Sequence, residues 1–200
     1  MISKRTLLMS FGALVCLPAG RRARADAPSP APPSSSTPSP APRLSSSVLS
    51  REQHERFMRL AIEQGRKNPY YPFGAVIVEP QTGAVVAEGT NNARENPTLH
   101  GEIVCINDYV SRHGNRGWGS KILYSTAEPC PMCMTALIFA HIGGVVYATS
   151  AFDGQKKAGM DPIKISAQDI VDATPFTRPF LLGGILSAET DRMFLDRKRH

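Results

Sequence analysis

Once its first residues are set apart, this 200-residue chain lacks a surplus of charge. The formal net charge is +6, but residues 1–25 hold Lys4, Arg5, Arg21, Arg22 and Arg24 and no acid. Without those five, 18 of the 23 basic residues face 17 acidic ones, a net of +1. A nearly neutral body has no field with which to grip a phosphate backbone, so nucleic acid is not an expected partner. The basic tail DRKRH, from Asp196 to His200, reads as solvated surface at a helix end. Internal repeats are absent. So is any apolar run approaching the roughly 20 residues that cross a bilayer, so the mature chain is expected to have no membrane span.

Residues 1–25 read as a signal peptide. Lys4 and Arg5 form a charged start, TLLMSFGALVCLPA is the apolar stretch, and Ala23-Arg24-Ala25 supplies an A-x-A cleavage site before Asp26. SKRTLL resembles a weakened twin-arginine export signal, a route that carries folded proteins. Cys16 lies in this leader without a lipobox around it. Export to the periplasm or medium is therefore expected. Residues 26–43 form a Pro/Ser-rich linker. PSPAPPSSSTPSPAPR holds seven of the seventeen prolines and almost nothing that builds a core, which puts it in the polyproline II regime. The folded domain is expected over residues 44–200.

Within it, helix and strand patterns alternate. SREQHERFMRLAIEQGRK opens on a capping box, Ser50 and Gln53, and places Phe57, Leu60, Ala61 and Gln64 at helical spacing. FGAVIVE and AVVAEGT are short β-branched runs joined by the turn PQTG. HGEIVCINDYVSRHG predicts a helix with Ile103, Ile106 and Val110 on one apolar stripe and Cys105 facing inward, closed by Gly114. KILYST reads as a buried strand, CPMCMTALIFAHIGG as a helix and VVYATS as another strand. Ser166 and Ser187 are expected to cap two further helices. This order predicts an α/β fold with a central mixed sheet covered on both faces.

Each central helix opens on a polar cluster: TLHGE, with His100 and Glu102, and EPCPMC, with Cys130 and Cys133. Two cysteines three apart at a helix start can turn both sulfurs to one point. Pro131 suits the first helical position, and the helix N-terminus favours thiolates. One His and two Cys make three zinc ligands and leave a fourth position open, as in a catalytic site. Glu102 is the natural proton shuttle for a zinc-activated water. A spacing of i, i+2 does not place His100 and Glu102 on one helical face, so periodicity leaves their shared orientation open. The rival reading of Cys130 and Cys133 is an exported redox CxxC pair, which explains neither His100 nor Glu102. Cys105 reads as a core residue; His54, His113, His141 and His200 read as surface or helix-end residues.

HxE followed by PCxxC is a signature of zinc-dependent nucleobase deaminases, and Phe73 to Ser150 resembles the cytidine/deoxycytidylate-type deaminase superfamily throughout. TLHGE looks like the cytosine-deaminase branch, and EPCPMC looks like guanine deaminases and tRNA adenosine deaminases. The resemblance implies a three-layer α/β/α sandwich with a mixed five-stranded sheet, Zn2+ on His100, Cys130 and Cys133, and Glu102 as general acid/base. It also implies an asparagine contact to the base, Asn91 in preference to Asn92, and a substrate-selecting role near Phe152 and Asp153. The expected reaction is hydrolytic deamination of a small-molecule nucleobase or nucleoside, guanine-like or cytosine-like, in a homodimer. The tRNA adenosine deaminase reading is the alternative.

Overall fold

The computed structural model describes residues 44–199. The leader with Cys16, the Pro/Ser-rich linker and His200 lie outside the described residues.

The first helix, α1 (Arg51–Arg66), begins where the capping box predicts: Ser50 Oγ accepts from Gln53 N, and Gln53 Oε1 accepts from Ser50 N at 2.8 Å. Strands β1 (Gly74–Glu79) and β2 (Ala84–Thr90) pair antiparallel around the predicted turn. Gly83 turns there with φ of +69° and donates its N–H to Glu79 O. Helix α2 (Gly101–His113) ends at Gly114, whose φ is +73°. Strand β3 (Ile122–Ala127), helix α3 (Pro131–Phe139) and strand β4 (Gly144–Thr149) follow as predicted. A π-helical turn (Ala151–Gln155), helix α4 (Ala167–Ala173), strand β5 (Phe180–Leu182) and helix α5 (Ser187–Leu195) complete the order.

The sheet runs β2-β1-β3-β4-β5, with β1 antiparallel to both neighbours and β3, β4 and β5 parallel. Its central strands are apolar on both faces because both are covered. Val76, Val78, Ile122 and Tyr124 meet Phe57, Met58, Ala61 and Ile62 of α1, and α5 adds Met193 on that side. Ala75, Ile77 and Leu123 point the other way, against Cys105 and Tyr109 of α2, Met134 and Leu137 of α3 and Val171 of α4. The result is the expected α/β/α sandwich. Each fully buried aliphatic or aromatic side chain contributes about 1.5–3 kcal/mol.

Several expectations give way. The buried stripe of α2 is Gly101, Glu102, Cys105 and Tyr109, while Val110 is 39% exposed and Ile103 and Ile106 are half-buried. Cys105 faces inward as expected, but the rest of the sheet-facing side is a glycine, an acid and a phenol, so the aliphatic stripe lies about a third of a turn from the buried one. Ser187 is the first residue of α5 and not its cap. Leu186 takes the cap position at φ of +57°, without a side-chain cap bond, and its side chain packs on the α1 core. His54, expected at the surface, is buried, with Nδ1 2.9 Å from Tyr124 Oη and Nε2 3.0 Å from Ser46 O. Both ring nitrogens are partnered, which is what allows burial of an imidazole.

Candidate active site

Two helix starts converge at the end of the sheet. His100 is the N-cap of α2 (φ −66°, ψ 160°) and Cys130 the N-cap of α3 (φ −64°, ψ 166°); neither side chain caps its own helix. Instead His100 Nδ1 lies 3.6 Å from Cys130 Sγ and 3.6 Å from Cys133 Sγ. The three donor atoms all fall within 4.8 Å of one another. Extended backbone at His100 resolves the orientation that helical spacing left open. The residue precedes the helix, so its imidazole and the Glu102 side chain turn to the same cavity.

The placement of α2 rests on Gly89 of β2. A Cβ at this position would collide with Gly101 O and Cys105 N, so only glycine lets the start of α2 sit so close to the strand. Glu102 is 3% exposed and accepts from Ser125 Oγ of β3 through Oε1 at 3.0 Å. Pro131 occupies the first position of α3, where its missing N–H costs nothing.

Electrostatics suits a cation. The Cys133 thiol donating to Cys130 pulls the latter down to about 4, against burial and with help from the His100 contact. The same shared proton, then burial and the Glu102 carboxylate, push Cys133 up. His100 is raised, first by its hydrogen bond with Cys130 and against its burial. Burial raises the Glu102 carboxyl and the Cys130 charge adds to it, while a backbone hydrogen bond and Ser125 oppose. Two thiols sharing one proton beside an imidazole nitrogen form a donor set that fits Zn2+, and three such ligands leave a coordination position open. Both cysteines are free thiols.

A cavity of about 740 Å³ opens from this cluster. Phe73, Tyr70 and Tyr71 provide aromatic wall, and Asn91, Glu128 and Gln155 provide polar groups. Asn91 is buried at the end of β2, on the wall; Asn92 is exposed and bonded to Glu95. Among the described residues the Asn91 carboxamide has no hydrogen-bond partner, so it is available to a ligand. Asp153 stands elsewhere. It is exposed on the π-turn, its N–H donating to Ser150 Oγ, and neither it nor the exposed Phe152 lines the cavity. Cys105 is fully buried in the core, as expected.

The sequence reading missed Glu128, Gln155 and Ser125. Glu128, the first residue of EPCPMC, is 6% exposed, and both its oxygens are used. Oε2 accepts from Ala151 N at 2.8 Å and Oε1 from Ala167 N at 2.9 Å. Those donors open the π-turn and α4, so one carboxylate caps two helical starts beside the cavity. An acid directly before a helix-opening Pro-Cys was the only local hint of this role.

The fold and this cluster agree with comparison to known proteins. Residues 51–149 match the cytidine and deoxycytidylate deaminase zinc-binding region. A guanine deaminase of Bacillus subtilis is 37% identical over 133 residues, covering 64% of this chain and 83% of that protein. A tRNA-specific adenosine deaminase of Streptococcus pyogenes is 33% identical over 120 residues, 57% of this chain and 67% of its own. The solved guanine deaminase of Nitrosomonas europaea shares the fold, with a TM-score of 0.60 at 24% identity over 70% of this chain and 81% of its own. With zinc-type donors gathered at two helix starts and a buried acid beside them, the chain belongs to the cytidine and deoxycytidylate deaminase zinc-binding family.

Proposed function

We propose that the protein is a zinc-dependent hydrolase that deaminates a guanine-type nucleobase and releases ammonia. One observation carries the reading: His100 Nδ1, Cys130 Sγ and Cys133 Sγ lie within 4.8 Å of one another, and His100 and Cys130 line the cavity whose wall also holds buried Glu102. The 37% identical guanine deaminase supports the choice of base.

Zinc held by His100, Cys130 and Cys133 would supply a water with its pKa lowered toward neutrality. The chain's own groups account for the rest. Glu102 takes one proton from the attacking water and passes it to the ring nitrogen beside the amino-bearing carbon; it then takes the second proton from the hydroxyl now on that carbon and gives it to the amine, so that the C–N bond breaks, ammonia leaves and the carbonyl forms. Burial suits it to this, because a raised carboxyl can hold a proton between transfers. Ser125 fixes Oε1 and leaves the second oxygen for the transfer. The Asn91 carboxamide offers a donor and an acceptor to the base, and the rings of Tyr70, Tyr71 and Phe73 offer apolar walls to its faces.

The same proposal includes export, resting on the leader-like composition of residues 1–25, and a homodimer, resting on the family. Phe139 and Phe176, in ring contact at 5.6 Å and 64% and 42% exposed, are apolar surface that a dimer would cover. The near-neutral charge of residues 26–200 disfavours the tRNA reading. Ammonia release should be measured across guanine, cytosine, adenine, their nucleosides and a tRNA. Guanine should be turned over fastest. Turnover of the tRNA alone would replace this reading with the adenosine deaminase one.

A further inference from the structure

The π-turn after β4 places one buried polar side chain that the reaction above does not use. Gln155 is 8% exposed and lies on the wall of the catalytic cavity. The turn holding it is tied down at three points. Ala151 N donates to Glu128 Oε2 at 2.8 Å, Gln155 N donates to Ser150 O, and Ser150 Oγ accepts from Asp153 N and Gly154 N. Gly154 presses the turn onto the end of β4: a Cβ there would collide with Thr149 Cγ2 and crowd Asp191 Oδ1. Isolated π-turns are costly local geometry and recur at functional sites.

The chemistry of the Gln155 amide is fixed by its one side-chain bond. Nε2 donates to Glu128 O at 3.4 Å. A backbone carbonyl can only accept, so the amide must face it with its NH2 group. The carbonyl Oε1 is then the free end, with no donor among the described residues. It is an acceptor open to a cavity that also holds Glu102 and Asn91.

We propose that Gln155 is a specificity-determining residue, its Oε1 accepting a hydrogen bond from a ring or exocyclic N–H of the bound base, with Glu128 as the positioning residue that holds it there. The inference rests on the nucleobase reading above and deepens it. The substrate class is a base with an N–H donor on an edge other than the one being hydrolysed, a description guanine meets. Bases lacking such a donor leave Oε1 buried and unpaired.

Steady-state kinetics on guanine with zinc-loaded full-length chain tests this, comparing wild type with Gln155→Met, which keeps the length and removes the acceptor. KM should rise about 10- to 100-fold, the range for a buried polar group left unpaired, with kcat within about threefold and zinc content and melting temperature unchanged. Should Gln155→Met fail to bind zinc or to melt cooperatively, Gln155→Ala removes the same acceptor with less bulk and must show the same KM increase. An unchanged KM in a folded variant overturns the inference alone, as does a fall confined to kcat. If the wild type releases no ammonia from any base, the proposed function falls, and the inference with it.

Discussion

Removing the Glu128 carboxylate should damage the fold in a graded and local way. Glu128→Ala leaves the N–H groups of Ala151 and Ala167 without acceptors, and those residues are only 6% and 1% exposed. An unsatisfied buried donor costs about 1–3 kcal/mol, so two cost about 2–6 kcal/mol, a large part of the roughly 5–15 kcal/mol by which domains are stable. In a domain of this size each kcal/mol moves Tm by about 2–4 °C. Glu128→Ala should therefore melt about 4–24 °C below wild type. Glu128→Gln keeps the shape but offers one acceptor and turns an NH2 toward the other donor, so about half of the loss is expected. Thermal unfolding gives the order. Native-state amide exchange locates it, since Ala151 and Ala167 should lose protection while the β1–β3 core keeps it. A Glu128→Ala melting point within about 2 °C of wild type, or no change in exchange at those two amides, would refute the two-point brace.

Three other perturbations separate the parts of the site. Ser125→Ala removes the 3.0 Å bond that orients Glu102; kcat should fall about tenfold, the effect of roughly 1.4 kcal/mol, with zinc content unchanged by metal analysis. Gly89→Ala drives a Cβ into Gly101 O and Cys105 N. It should cost about 1–3 kcal/mol in denaturant unfolding and weaken zinc retention under dialysis, because α2 carries His100 at its start. Cys133→Ala removes one of three donors. Zinc should drop from about one per chain toward none, and a wild-type chain stripped with chelator should regain activity when zinc is restored.

Much of this site was legible because it is built from local rules. Pro131 at the first position of a helix, Ser50 and Gln53 as reciprocal caps, and His-x-Glu with Cys-x-x-Cys are each written within a few residues. The unread features depend on partners far away in the chain. Glu128 braces residues 23 and 39 positions downstream, and His54 is buried because Tyr124, 70 positions away, offers it a hydroxyl. The convergence of His100 with Glu102 was hidden by helical periodicity, since the cap residue does not obey it. Strand β5 has only three half-buried residues, too few to show a pattern. Asp153 follows β4 closely, as its predicted role requires, but the π-turn directs Gln155 to the cavity in its place.

The central claim is a zinc-bound centre whose buried acid moves the protons of a hydrolytic deamination. It is tested most directly by measuring ammonia release from guanine alongside bound zinc, in wild type and in Glu102→Gln. Both should hold about one zinc per chain, and kcat should be about 10²- to 10⁴-fold lower in the variant. A metal-free wild type with a Cys130–Cys133 disulfide, or near-normal turnover by Glu102→Gln, would contradict it.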